Sequence, residues 1–134
     1  MSDDPILALA ERLFAAVTAG DVAALREIYA PDCRIWHNSD GVAQTVEQNL
    51  MVLGWVTKHV RDRRYEDVRL QRTPTGFVQQ HVLRGATASG KSLSVPACLV
   101  GTVADGRITR LDEYLDMAHL AALITGITPT NDSR

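Results

Sequence analysis

Residues 76–116 read GFVQQHVLRGATASGKSLSVPACLVGTVADGRITRLDEYLD, and their periodicity is that of strands. From Phe77 the chain alternates, so Phe77, Gln79, His81 and Leu83 share one face while Val78, Gln80, Val82 and Arg84 share the other. ATASG, residues 86–90, supplies turn chemistry. Ser92 to Val103 is a long run rich in Val, Leu and Ala, predicted to be central in a sheet or buried on both faces. Asp105-Gly106 marks a two-residue hairpin, because Gly accepts positive φ without steric cost. The returning strand, Arg107 to Leu115, sets Leu111, Glu113 and Leu115 on one face and Asp112, Tyr114 and Asp116 on the other. Two polar groups, His81 and Glu113, thus sit where a sheet should be apolar. A carboxylate between leucines must be paired, protonated or near water.

Upstream the signals are helical. Asp4-Pro5 starts a helix whose apolar stripe is Ile6, Leu9, Ala10, Leu13, Phe14 and Val17, with Gly20 to end it. Asp21 caps a second helix, Val22 to Tyr29, which Pro31 stops. CRIWH, Cys33 to His37, reads as a short strand followed by a turn at residues 38–41. Val46 to Val60 is a third helix with Leu50, Leu53 and Val56 inward and Trp55 nearby. The charged RDRRYED run leads into a strand over Tyr65 to Gln71, and Met117 to Ile124 is read as a short final helix before a frayed end. Three helices followed by a mostly antiparallel sheet predict an α+β fold with the helices on one face of the sheet.

Composition narrows the function. One domain spanning 1–134 is expected, with 46% hydrophobic residues and a net charge of −2. That balance argues against nucleic-acid or anionic-membrane partners. No apolar run reaches the roughly 18–20 residues that span a bilayer, and the acidic N-terminus lacks a signal peptide's basic region. Cys33 and Cys98 form no disulfide framework, which fits reduced thiols in a cytoplasmic protein. The spacing of His37, His59, His81 and His119 matches no metal motif, and no glycine-rich phosphate loop is present, so no metal or cofactor is expected.

The segments AGDVAALREIYAPD (19–32), RIWHN (34–38) and DGRITRLDEYLD (105–116) resemble the nuclear-transport-factor-2-like superfamily, over nearly the whole chain. That superfamily includes ketosteroid isomerase, scytalone dehydratase, limonene epoxide hydrolase and the SnoaL-type polyketide cyclases. The resemblance implies a cone-shaped, curved sheet, with the three helices of the N-terminal half packed on its concave face around an apolar small-molecule pocket. It also implies a homodimer formed through the outer face. It does not fix the reaction, because one fold hosts several chemistries.

Each relative's catalytic set falls on different residues here. The ketosteroid isomerase base falls on His37, but its Tyr and Asp oxyanion donors fall on Leu13 and Cys98. The Asp–Arg–Asp set of limonene epoxide hydrolase, which the chain also resembles over the last strands and at Val46-Glu47-Gln48, falls, with one gap, on His81, Gln79 and Glu113; only the last is a carboxylate. Scytalone dehydratase resembles the QHVLR strand (80–84): its catalytic His falls on His81, a pocket Tyr on His37, and the helix Asp on Thr18.

His81 is the leading acid–base candidate, with Glu113 as the partner that orients it, and His37 is a third catalytic candidate. A structural histidine and a solvent-paired glutamate are the competing assignments. A gapless strand aims Ile35 and His37 inward, whereas a one-residue bulge would aim Trp36 and Asn38 there. Gln79, Trp55, Phe14 and Cys98 complete the expected substrate-binding set, although core packing is the commoner use of residues such as Trp36 and Trp55, and a buried cysteine such as Cys98 is more often an inert thiol. Tyr29, Tyr65 and Tyr114 are possible donors to a substrate oxygen. The expected activity is cofactor-independent acid–base chemistry of lyase or isomerase type on a hydrophobic carbonyl or hydroxyl compound. A non-catalytic ligand-binding or accessory protein is the alternative.

Overall fold

A computed structural model describes residues 2–120. Helix α1, Pro5–Ala19, starts where the Asp4 carboxylate accepts the Ile6 and Leu7 N–H groups at 2.8 and 3.4 Å, and ends at Gly20 in the left-handed region. Helix α2, Val22–Ile28, is capped by Asp21. It stops one residue short of the predicted end, because Tyr29 is already extended and opens strand β1, Tyr29–His37. A two-residue strand β2, Ala43–Gln44, leads into α3, Val46–His59, which begins with a reciprocal capping box between Thr45 and Gln48.

Strands β3, Val60–Thr73, β4, Gly76–Thr87, β5, Ser92–Ala104, and β6, Arg107–Leu115, follow in succession. The sheet order is β2-β1-β6-β5-β4-β3, antiparallel everywhere except between β1 and β6. β3 begins five residues before its predicted start. Two breaks in its register carry Asp62 and Asp67 at φ 56° and 54°, and such bulges scramble the alternation that would have revealed the strand. β5 is central as expected, but its first half alternates between buried and exposed residues rather than being buried on both faces. A 3-10 turn, Met117–Leu120, follows β6, and the remainder of the predicted final helix and the tail lies outside the described residues.

All three helices contribute to one core. Leu9, Leu13 and Phe14 of α1, Leu25 and Ile28 of α2, and Leu50 and Leu53 of α3 cluster with Ile35, Phe77, Leu99, Ile108 and Leu111 of the sheet. Each such side chain contributes about 1.5–3 kcal/mol by leaving water. This is the α+β arrangement, with helices on the inner face of an open, mostly antiparallel sheet. Among the described residues no helix is long and apolar enough to cross a membrane.

Candidate functional site

The register determines which polar groups face the helices. His37 pairs with Glu113, Glu113 with Leu99 and Leu99 with Gln79, while His81 pairs with Ala97 and Ala97 with Leu115. Residues opposite one another in a ladder point to the same side, so His37, Glu113, Gln79 and His81 all lie on the inner face.

Between this face, α1 and α3 is a cavity of about 160 Å³, open on one side. Leu13, Phe14 and Val17 of α1 and Val52, Leu53 and Val56 of α3 form apolar walls, and Ile35, Leu83, Leu99 and Leu111 form the floor. Among the described residues the polar lining consists of His37, Glu113, Asn49, Tyr29 and Tyr65.

His37 and Glu113 meet there, with Nε2 to Oε1 at 2.9 Å. Their hydrogen bond raises the His37 pKa above its ordinary value; burial opposes the rise without cancelling it. Asn38 holds this pair in place. Its N–H donates to the Glu113 carbonyl at 3.0 Å, and its Oδ1 accepts the Leu115 N–H at 2.9 Å, tying the end of β1 to β6. Burial pushes the Tyr29 and Tyr65 hydroxyls well above the usual phenol range, and the Glu113 charge adds to both effects. Both hydroxyls therefore stay protonated and able to donate.

The expected pairing of His81 with Glu113 is not what forms. β4 and β6 are separated by β5, which places their backbones roughly 9.5 Å apart, and His81 is displaced along the strand from Glu113. His81 is buried, and its Nδ1 lies 3.0 Å from Gln79 Nε2, which donates to it when that nitrogen is unprotonated. The rings of Tyr65 and Phe14 stand against it at 4.3 and 5.5 Å between centroids. Desolvation lowers its pKa, with the Glu113 charge pulling the other way. Neither His81 nor Gln79 lines the cavity; Phe14 does.

Four other expected contacts fall elsewhere. Trp36 alternates to the outer face and packs edge-on against Tyr114 at 5.3 Å. The irregularity in β1 lies between Tyr29 and Arg34, upstream of the residues it would have had to flip. Asn38 is the strand tie just described. Trp55 is 42% exposed on α3 and stacks on His59. Cys98 lies opposite Tyr114 on the outer face, and both cysteines are free. Asn49 was missed, although its signal was present: Asn49, Val52, Leu53 and Val56 recur at helical spacing and line the cavity together. Among the described residues no group of three or more His, Cys, Asp or Glu side chains is arranged to hold a metal ion.

Comparison with known proteins gives a family, an uncharacterised relative and a shared fold. Residues 10–111 match the SnoaL-like domain. An uncharacterised protein of Mycobacterium tuberculosis is 37% identical over 122 residues, covering 85% of this chain and 91% of its own. Among solved structures, a candidate polyketide cyclase from Xanthomonas campestris superposes with a TM-score of 0.78 at 20% identity, covering 90% of this chain and 96% of that one. A protein of ketosteroid isomerase-like fold from Catenulispora acidiphila, solved with trimethylamine, gives 0.76 at 16% identity, covering 92% and 93%. At such identities the structures speak for the fold alone. With a match over residues 10–111, the chain belongs to the SnoaL-like domain family, and its fold is the one shared by the polyketide cyclase-like and ketosteroid isomerase-like structures.

Proposed function

We propose that this protein is a cofactor-independent acid–base enzyme acting on a small hydrophobic carbonyl or hydroxyl compound, with His37 as its base. The observation that carries this reading is the 2.9 Å His37–Glu113 contact at the lining of a mostly apolar, one-sided cavity. Glu113 accepts the Nε2 proton, fixes the tautomer and leaves Nδ1 to take a proton, and the imidazolium that forms is stabilised by the carboxylate beside it. The C–H electron pair moves onto the substrate carbonyl oxygen, where Tyr29 and Tyr65 serve as donors. Returning the proton to a different carbon completes an isomerisation. Delivering it to a departing β-hydroxyl releases water and completes a dehydration. Attack of the same enolate on a second carbonyl, which then takes up the proton, is an aldol-type cyclisation.

The test is a panel of single-ring β-hydroxyketones and β,γ-enones followed by ultraviolet absorbance. His37→Gln is expected to lower turnover roughly 100-fold or more while ligand binding survives. Full turnover in that variant would remove His37 from the mechanism. The binding-protein reading draws on the Gln79–His81 pair, whose Nε2–Nδ1 contact lies away from the cavity. Binding by the unaltered protein without turnover of any compound in the panel would favour it.

The outer sheet face, where Val82, Pro96, Cys98 and Tyr114 are at least partly exposed, is the surface we assign to a homodimer. The two free thiols suit a reducing compartment such as the cytoplasm.

A further inference from the structure

We infer that the ligand of this cavity is an uncharged molecule no bulkier than one six-membered ring, carrying its hydroxyl or carbonyl at one end. The inference rests on reading the cavity as the functional site, and adds to it a size and a charge. Size comes from volume. A cavity of about 150 Å³ lined by Leu, Ile and Phe holds one benzene, and this one is about 160 Å³. The core side of its wall is not free to recede. Leu13, Phe14, Leu53, Leu99 and Leu111 are all buried in the main core, so each is backed by other side chains at close-packed density. The adjoining space beyond Val17, Val56, Tyr65 and Leu83 is only about 30 Å³, near the share of liquid volume taken by one water. A fused second ring therefore has no place inside and must project through the open side, where it gains little burial.

Charge comes from the lining. Among the described residues Glu113 supplies the cavity's only carboxylate, and no Lys or Arg lines it. An anionic ligand would give up its water to lie beside that carboxylate in a mostly apolar space, with only His37 to offset the cost. A cation, Arg63, lines the small adjoining space, where its guanidinium donates to the carbonyls of Thr18 at 2.7 Å and Val60 at 3.0 Å. The ligand's polar end belongs with His37, Asn49, Tyr29 and Tyr65, and its ring with the leucines.

Three matched probes test size and charge by isothermal titration: benzyl alcohol, 2-naphthylmethanol and benzoate. Benzyl alcohol is expected to bind. 2-Naphthylmethanol is expected to bind no more than threefold tighter, and benzoate at least tenfold weaker. Leu83→Ala, which joins the small space to the main cavity, is expected to tighten 2-naphthylmethanol selectively by fivefold or more. Val17→Ala makes the same opening from α1 should the first variant unfold. A tenfold gain from the second ring on the unaltered protein would overturn the size limit. Benzoate binding as tightly as benzyl alcohol would overturn the charge limit and point to Arg63. Either result leaves the cavity standing as a ligand site. Failure of all three probes to bind at millimolar concentration would remove that reading and this inference with it.

Discussion

His37 and His81 share one face of the sheet and are pushed in opposite directions, because one has a carboxylate partner and the other is only desolvated. The sign of each pH effect follows from linkage. The His37 pKa is raised in the fold, so its contribution is fully present below the ordinary value near 6.5 and is lost as pH rises through the folded value. The His81 pKa is lowered, so the unfolded chain takes up its proton first, and stability is lost as pH falls from near 6.5 toward the folded value. Urea unfolding at pH 5, 7 and 9 should therefore show His37→Gln removing part of the alkaline loss and His81→Gln part of the acid loss. The same effect on both variants would contradict the assignment. Asn38→Ala should cost about 1 kcal/mol, the usual net contribution of one hydrogen bond, measured by the same unfolding. A loss indistinguishable from zero would mean that the β1–β6 tie holds without the Asn38 side chain.

At the scale of elements, the Phe77 ring of β4 lies over Gly101 of β5 and leaves no room there for a side chain. A Cβ on Gly101 would lie 2.3 Å from the Phe77 ring, which is itself fully buried. Gly101→Ala should destabilise the protein by about 1–3 kcal/mol, as overpacking does, and Phe77→Leu in the same chain should recover part of it. Recovery would show up as additivity failing in denaturant unfolding; strict additivity would contradict the clash. Much of the element pattern was legible in the sequence. The caps at Asp4, Asp21 and Gly20 and the Asp105-Gly106 hairpin are local chemistry, written in adjacent residues. The start of β3 was not, because left-handed Asp62 and Asp67 interrupt its alternation and the charged run looks like a solvated linker. Trp36 could be read either way until the position of the β1 irregularity was known.

At the scale of the whole molecule, strand alternation places His81 and Glu113 on the right faces, but nothing local says which strands are neighbours. The parallel docking of β1 beside β6, across most of the chain's length, brings His37 rather than His81 to Glu113. The candidate pair is thus a property of topology, and the side-chain periods alone could supply its members but not their match. The outer face makes its own prediction at this scale. Light scattering should report a homodimer, and Val82→Glu should yield a monomer with unchanged helical circular dichroism. A wild-type monomer at tens of micromolar would contradict the assigned interface.

The central claim is that Glu113 tunes His37 at the lining of a ligand-accepting cavity. Two-dimensional NMR of the histidine ring signals, titrated with pH in the unaltered protein and in Glu113→Gln, with and without benzyl alcohol, addresses it most directly. The account predicts a His37 pKa above the ordinary histidine value that falls in Glu113→Gln, and a His37 signal that benzyl alcohol moves while leaving His59 in place. An ordinary His37 pKa that ignores both the substitution and the ligand would contradict it.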